Sequence, residues 1–247
     1  MIVLRSLIFN VVFFGGTTVF AIAMLPTLIL PRRALVVSGK LWSRRVVAML
    51  RLIVGMRVEI RGREHIPQGG ALVAAKHQSA LDTIVMPMIL DDAACALKRE
   101  LIFIPVYGWY LLKARQIVID RSGRARALKR LVHDAAEAIA AGRPVVIFPQ
   151  GTRVAPGEDR PYLPGLMAIY ARLGQPVTPV AVSSGLFWGR RSFIKRPGTV
   201  VFEFLPPIPS DLGRAAFAEA LETRIESATS ALAREAESRA ETGPFIG

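Results

Sequence analysis

Two hydrophobic patterns divide the sequence. Between Ser6 and Pro31 no residue is charged, whereas beyond Gly55 short β-branched runs alternate with longer segments of helical periodicity. Apolar strands interleaved with helices are typical of an α/β sheet that is covered on both faces. We therefore expect membrane-associating helices at 1–54 and an α/β domain at 55–247. Strands are predicted at 57–62, 71–75, 116–120, 144–149, 177–182 and 199–204, and helices at 79–90, 123–141, 165–173 and 211–240.

The uncharged N-terminal segment allows three interpretations. As a helix, Leu7 to Leu30 would extend about 36 Å, which is enough to cross a bilayer. Gly15, Gly16 and Pro26 could bend it, so a hairpin or half-buried insertion competes with a span. A cleaved signal peptide ending at Ala21–Ala23 is the third interpretation. We expect the segment to remain in the mature protein rather than to be cleaved, because apolar sequence continues past the alanines and a basic cluster follows.

The residues after Pro31 add a second indication of a membrane. By the positive-inside bias, the basic cluster places the rest of the chain in the cytoplasm, at a cell inner membrane. One side of the following helix is predicted to be apolar and the opposite side basic, and we favour contact with an anionic membrane surface over packing on the domain core. The basic cluster comprises Arg32, Arg33, Lys40, Arg44 and Arg45, and the apolar side comprises Trp42, Val46, Met49 and Ile53.

Composition agrees with a membrane surface as partner. Hydrophobic residues make up 52% of the chain, and 32 Lys and Arg against 19 Asp and Glu give a net charge of +13. A basic chain could also bind nucleic acid, but the sequence has no zinc-finger spacing and no RNP-like aromatic motif, so we expect no nucleic-acid partner. The lone Cys95 lies in the run "DAACALK", which indicates a buried strand or helix end.

The stretch "KHQSALDT" places His77 and Asp82 directly after the predicted strand 71–75, where open α/β sheets hold their ligands. On a straight helix the two side chains would lie about 140° apart. Contact therefore requires His77 in the turn before the helix, Asp82 in its first turn and Ser79 as the cap. The carboxylate would then orient one ring nitrogen and leave the other free to take a proton. Taken alone, the pair is weak evidence.

A second motif, "FPQGTR" at 148–153, ends the predicted strand 144–149. The backbone N–H of Gly151, the hydroxyl of Thr152 and the guanidinium of Arg153 are groups that hold a phosphate. The alternative is an ordinary turn with a surface arginine. Between the two motifs, Lys98 and Arg121 each place a cation near a predicted sheet edge, where either could equally be solvated.

Four blocks in this order resemble the glycerolipid acyltransferase family, and within it the 1-acyl-sn-glycerol-3-phosphate acyltransferases. They are His77 with Asp82, "IDR" at 119–121, "FPQGTR" at 148–153 and "VTPVAV" at 177–182. The resemblance covers about residues 55–206. It implies a mixed, largely parallel sheet with helices on both faces and an N-terminal membrane-embedded helical motif.

The resemblance implies transfer of a fatty acyl group from acyl-CoA or acyl carrier protein to the 2-hydroxyl of lysophosphatidic acid, giving phosphatidic acid. His77 would deprotonate the hydroxyl and Asp82 would orient it. Lys98 and Arg153, assisted by Arg121, Gly151 and Thr152, would hold the phosphate. No acyl-enzyme on Cys95 or a serine is expected, and no cofactor. No metal is expected either, because His65, His77 and His133 lack ligand spacing.

One departure from the family keeps alternatives open. Gln150 stands where the family usually has glutamate, which retains hydrogen bonding but removes a charge. Acyl transfer to another lysolipid, such as a lyso-amino-acid lipid, is the nearest alternative. A non-catalytic membrane scaffold that keeps the fold is the alternative from another class. Acyl-chain preference, the choice between the two donors and the oligomeric state are not determined by the sequence.

Overall fold

The computed structural model describes residues 1–120 and 124–242. Within these residues, seven strands form one sheet in the order β1-β7-β6-β2-β5-β3-β4. Neighbouring strands are parallel except β6 and β7, which are antiparallel. The predicted mixed, largely parallel sheet is therefore confirmed. The strands are β1 Met56–Arg61, β2 Leu72–Ala75, β3 Ala94–Lys98, β4 Ile117–Ile119, β5 Val145–Ile147, β6 Val177–Val182 and β7 Gly198–Phe204.

The helices of the α/β part agree with the predicted ones within a few residues. Two short helices, α4 and α7, were not predicted, because seven and four residues carry too little periodicity to be recognised. The run containing Cys95 is a strand, β3. The helices are α1 Ile2–Ala23, α2 Arg32–Met49, α3 Ala80–Ile89, α4 Tyr107–Lys113, α5 Arg124–Ala140, α6 Pro164–Leu173, α7 Ser184–Phe187 and α8 Arg214–Thr242.

The sheet separates two hydrophobic cores. Successive residues of a strand point to opposite faces, so Val73 and Ala75 of β2 enter one core while Leu72 and Ala74 enter the other. The first core is covered by α1, α2 and α3, and the second by α5, α6 and α8. The expected coverage of both faces is thus confirmed, and the N-terminal helices form part of one layer.

Helices α1 and α2 form a hairpin. Helix α1 continues through Gly15 and Gly16 and ends before Pro26, which is the second residue of a short 3-10 turn at Leu25–Leu28. Trp42 of α2 then donates from its indole nitrogen to the Thr17 hydroxyl of α1 at 3.2 Å. The glycines do not interrupt the helix, whereas the proline lies where the chain reverses direction.

The apolar face of α2 packs on the protein core. Val46 is fully buried, and Trp42, Met49 and Ile53 contact the first core. Our preference for contact between this face and a membrane is therefore wrong, and the alternative of packing on the domain is correct. The sequence pattern is the same in both cases, because a lipid surface and a protein core are both apolar solvents for the same side chains.

Helix α1 is apolar on almost its whole circumference. Among the described residues it is the one helix long and apolar enough to cross a membrane, and only 17% of its most apolar window is buried inside the protein. Ser6 and Phe9 are fully buried, and Asn10 is almost so, against the rest of the chain. Most of α1 therefore presents apolar side chains outward.

Candidate active site

His77 lies in the connection between β2 and α3. Lys76 still belongs to the sheet, since its N–H donates to the carbonyl of Val180 at 2.9 Å. Ser79 caps α3 through its hydroxyl, and Asp82 in the first turn completes a capping box. His77 Nδ1 lies 2.9 Å from Asp82 Oδ2. The geometry expected from the spacing, a turn followed by a helix, is therefore present.

The Asp82 carboxylate is fully buried and surrounded by donors. Its Oδ2 accepts from the backbone N–H groups of Gln78 at 2.7 Å and Ser79 at 2.8 Å, in addition to the His77 ring. Its Oδ1 accepts from the Ser184 hydroxyl at 2.5 Å. A carboxylate with these donors acts as an acceptor, so the proton of a neutral His77 ring lies on Nδ1. The Nε2 atom is then available to accept a proton.

The ring of Phe148 fixes the plane of the His77 ring. The two rings stack with centroids 4.2 Å apart and an interplanar angle of 25°. Phe148 is also the first residue of the "FPQGTR" motif, so the same residue positions the histidine and begins the phosphate-type turn. The imidazole is held on one edge by Asp82 and on one face by Phe148.

The loop of the second motif is attached to the first. Gly151 has a φ of 66°, in the left-handed region that glycine adopts without strain, and its N–H donates to the carbonyl of Phe148 at 2.8 Å. Past Arg153, the N–H of Val154 donates to the carbonyl of His77 at 2.8 Å. Backbone hydrogen bonds therefore fix the distance between the histidine and the Gly151–Arg153 segment.

A cavity of about 650 Å³ brings most of the predicted site residues together. Its wall includes His77, Lys98 and the segment Gly151–Arg153. Among the described residues, neither Lys98 nor Arg153 forms a salt bridge, in contrast to Arg99, which binds Asp120 at 2.5 Å. Arg121 lies outside the described residues. Two further arginines, missed by the sequence analysis, also line this cavity: Arg190 and Arg191.

A partly buried polar cluster is centred on Glu226 of α8 and contacts both motifs. Lys76 donates to both of its carboxylate oxygens, at 2.7 and 2.6 Å. Tyr162 donates to Oε1 at 2.9 Å and Gln150 donates to it at 3.3 Å. Burial and the neighbouring carboxylate raise the pKa of Tyr162, so its hydroxyl stays a donor. Helix α8 thus supplies this carboxylate in addition to covering the second core.

The contact with Glu226 gives a physical reason for a glutamine at position 150, where the family usually has glutamate. Lys76 directly precedes His77, and Gln150 directly precedes Gly151. The cluster therefore ties the starts of both loops to α8. An amide at position 150 can donate to the Glu226 carboxylate, whereas an ionised glutamate would repel it.

The Cys95 thiol borders the cavity but is poorly suited to nucleophilic attack. Burial raises its pKa to about 12, against an opposing effect of the nearby Arg143 charge. The thiol therefore stays protonated at neutral pH, and a thiolate is the form of cysteine that reacts.

One side-chain group among the described residues could hold a metal ion, although histidine spacing alone did not indicate it. His133, Asp134 and Glu137 on α5 have ligand atoms within 4.8 Å of one another. The His133 and Glu137 side chains are exposed, and none of the three lines the cavity around His77. This group has no geometric connection to the His77 site.

Comparison with known proteins finds relatives of this chain. A 1-acyl-sn-glycerol-3-phosphate acyltransferase of Pseudomonas aeruginosa is 37% identical over 191 residues, which are 76% of this chain and 72% of the relative. The human 1-acyl-sn-glycerol-3-phosphate acyltransferase alpha is 27% identical over 206 residues, 82% of this chain and 72% of the relative.

A crystal structure of a 1-acyl-sn-glycerophosphate (LPA) acyltransferase from Thermotoga maritima superimposes with a TM-score of 0.78. The match covers 94% of this chain and 98% of the other at 22% identity, and it supports the fold. Residues 57–183, which contain both motifs, match the protein family described as Acyltransferase. The chain therefore belongs to the acyltransferase family.

Proposed function

We propose that this protein is a membrane-associated acyltransferase that moves a fatty acyl group from a thioester, acyl-CoA or acyl carrier protein, to the sn-2 hydroxyl of lysophosphatidic acid. The observation that carries the proposal is that His77 and the cationic, phosphate-type segment Gly151–Arg153 line the same cavity. The names of the relatives from Pseudomonas aeruginosa and human support the same acceptor.

His77 is the proposed general base. Its Nε2 takes the proton of the acceptor hydroxyl, and the oxygen attacks the thioester carbonyl carbon. The tetrahedral intermediate then expels the thiolate, which receives the proton from His77, so that an ester and a free thiol are formed. Asp82 holds the Nδ1–H at 2.9 Å and stabilises the imidazolium that forms in between. A positioned base contributes typically ~10²–10⁴ in rate.

The acceptor phosphate is proposed to bind at the second motif. Arg153 offers a forked set of donors, Lys98 a point charge and Thr152 a hydroxyl, while Gly151, whose own N–H donates to Phe148, supplies the turn that carries them. Lys98 and Arg153 are free of salt bridges within the described part of the chain and line the same cavity as His77. A phosphate held there would place an acceptor hydroxyl in the space in front of the imidazole. Arg121 is proposed as an assisting cation.

The N-terminal segment 1–54 is proposed to attach the enzyme to the inner membrane through the outward apolar surface of α1, with the α/β domain on the cytoplasmic side. Near the start of α1, the Ser6 hydroxyl donates to the carbonyl of Lys195 at 3.3 Å, and near the end of α1, the carbonyl of Ala21 accepts from Tyr110 at 2.6 Å. Both ends of α1 thus contact the α/β part. A helix crossing a core of about 30 Å would separate its ends across the membrane, so this arrangement favours entry of α1 into one leaflet.

Purified protein with labelled acyl-CoA or acyl carrier protein and a panel of lysolipids tests the proposal. Lysophosphatidic acid should be converted to phosphatidic acid, and His77→Ala should lower kcat by about 10³-fold or more. The matched control is His133→Ala, which removes an exposed histidine away from the cavity and should leave the rate unchanged. Wild-type transfer by His77→Ala would refute the general base.

The acceptor panel also tests the phosphate site. Arg153→Gln should raise the KM for lysophosphatidic acid by at least about tenfold, since charged hydrogen bonds contribute about 1.5–3 kcal/mol. The exposed Arg172 on α6 supplies the control variant Arg172→Gln. Equal wild-type rates with acceptors that lack a phosphate, such as lyso-amino-acid lipids, would refute this assignment. Absence of any thioester-dependent product would favour the non-catalytic scaffold.

A further inference from the structure

Exposed apolar side chains beyond the N-terminal hairpin are concentrated in one place. Among the described residues after Leu41, eight large apolar side chains are exposed, and five of them lie within the ten residues 103–112. Phe103, Trp109 and Leu112 expose 69%, 53% and 54% of their surface. Phe103 ends a 3-10 turn at Arg99–Phe103, and α4 follows. We call the five residues Phe103, Ile104, Tyr107, Trp109 and Leu112 the α4 patch.

Packing of α4 on the domain does not require Trp109 or Leu112. Helix α4 contacts the domain through the buried residues Gly108 and Leu111. Gly108 approaches the carbonyl of Ile102 so closely that a Cβ would lie 1.9 Å from its oxygen. The inner face of α4 is therefore already packed, and Trp109 and Leu112 lie on the face that remains.

The α4 patch continues the apolar surface of the N-terminal hairpin. Tyr110 donates to the carbonyl of Ala21, and α4 also contacts α2 and the turn Leu25–Leu28. Beside that contact, Ile22 and Ile29 are exposed, so the apolar surface extends from the end of α1 across the turn to α4. Continuity with the helix proposed to enter the membrane indicates a lipid surface as the occupant, rather than a separate protein partner.

The composition of the patch suits the boundary between lipid headgroups and acyl chains. Tyrosine and tryptophan concentrate at that depth because one end of each ring is apolar and the other polar. Arg115 flanks the patch and is exposed, as expected for contact with anionic headgroups; Arg99 on the other flank is exposed as well and pairs with Asp120. The other side of the same segment borders the reaction, since Leu101, Tyr110 and Leu111 line the cavity that contains His77. Tyr107 lines the cavity as well, so this member of the patch lies at the boundary between the two surfaces.

We propose that the α4 patch is a second membrane-contacting element, which inserts at headgroup depth and holds the mouth of the His77 cavity against the bilayer. This rests on the membrane association in the proposed function. A lipid acceptor could then enter the cavity from the leaflet without crossing water. The class of ligand is the interfacial region of an anionic phospholipid bilayer.

Tryptophan fluorescence tests the proposal directly, because the chain has only three tryptophans. Trp188 is buried and Trp42 half-buried, and both contact Phe13, so Trp42→Phe with Trp188→Phe leaves Trp109 as the reporter. Vesicles of phosphatidylglycerol and phosphatidylcholine, with bromine near the glycerol end of the acyl chains, should quench Trp109 emission by at least about half and shift it to shorter wavelength. Acrylamide quenching should fall at the same time.

Flotation of the same vesicles separates this proposal from the proposed membrane association. If the protein floats but Trp109 stays accessible to acrylamide and unaffected by bromine, the α4 patch lies in water and the proposal is overturned while membrane association stands. If the protein does not float, both are overturned.

A functional arm uses Phe103→Ser, Trp109→Ser and Leu112→Ser together, which alter exposed side chains and should leave thermal unfolding unchanged. The rate with a long-chain acceptor embedded in vesicles should fall at least about tenfold. With a short-chain acceptor dissolved as monomers, the rate should stay within about twofold. The control for vesicle binding is Leu163→Ser, because Leu163, directly before α6, is an exposed leucine outside the α4 patch. Equal losses with both acceptors would contradict a role at the lipid surface.

Discussion

Replacing the Glu226 carboxylate of α8 by the amide of glutamine should lower the free energy of unfolding strongly. Lys76 is only 2% exposed, and the Glu226 carboxylate is the partner of its ammonium group. Removing one member of a buried ion pair costs about 3–5 kcal/mol, because the other charge stays buried without compensation. Glu226 is 33% exposed, so water reaches the site and we expect the lower limit of that range.

A loss of about 3 kcal/mol should lower Tm by roughly 6–12 °C for a chain of this size. Thermal unfolding of detergent-solubilised protein at pH 7, followed by circular dichroism, measures it. Glu219→Gln is the matched control, since Glu219 is an exposed residue of the same helix, and should change Tm by about 1 °C or less. Below the transition, Glu226→Gln should also reduce acyl transfer, because Lys76 adjoins His77.

Two second-site variants decide whether the buried charge is the cause. Adding Lys76→Met to Glu226→Gln removes the unpaired ammonium and should restore most of the stability, since apolar residues of similar volume often replace a buried ion pair without loss. Adding Gln150→Glu to Glu226→Gln returns a carboxylate to the same cluster and should restore part of the lost stability. If Glu226→Gln behaves like Glu219→Gln, or if neither addition raises Tm, the reasoning is refuted.

Three further outcomes are expected. Ser184→Ala should lower kcat by about tenfold with little change in KM, because Asp82 loses a charged hydrogen bond worth about 1.5–3 kcal/mol; a raised KM with unchanged kcat would contradict this positioning role. Cys95→Ala should keep acyl transfer within about twofold, and iodoacetamide should react slowly with wild-type Cys95 at pH 7–9, since its pKa is raised to about 12; loss of activity would indicate a thiol nucleophile. Arg61 lowers the pKa of Glu235, so this pair stabilises the fold above the ordinary carboxyl pKa and is lost as pH falls through the folded value. Glu235→Gln should therefore lower Tm at pH 7 slightly and have no effect once pH is well below about 4.

The local part of the site could be predicted from the sequence because neighbouring residues determine it. His77 and Asp82 are five residues apart, and Ser79 between them is a strong helix cap, so the turn and the first helical turn together fix their contact. The left-handed turn at Gly151 follows in the same way from one glycine after a strand. Six of the seven described strands were recognised by their apolar runs, whereas β3 was left as a strand or a helix end and the order of the strands was not predicted.

The distant part of the site depends on that order. Strand β6 lies beside β2, so Ser184, shortly after the end of β6, comes within hydrogen-bond distance of Asp82 from 102 residues away. Glu226 reaches Lys76 from 150 residues away. Neither residue has a local pattern that distinguishes it from other serines or glutamates, since periodicity reports which face a residue occupies and not which partner meets it.

Gln150 shows how a local departure can be misread when its partner is distant. Viewed alone, the loss of a carboxylate at this position suggests a weakened site. With Glu226 beside it, the position already has one carboxylate for one buried ammonium, and a second would leave two negative charges competing for Lys76. The amide satisfies the carboxylate with its NH₂ group, and its own Oε1 stays without a partner among the described residues, at a cost of about 1–3 kcal/mol. The net charge of this cluster therefore depends on positions 150 and 226 together, and the residue at one position can be interpreted only with the residue at the other.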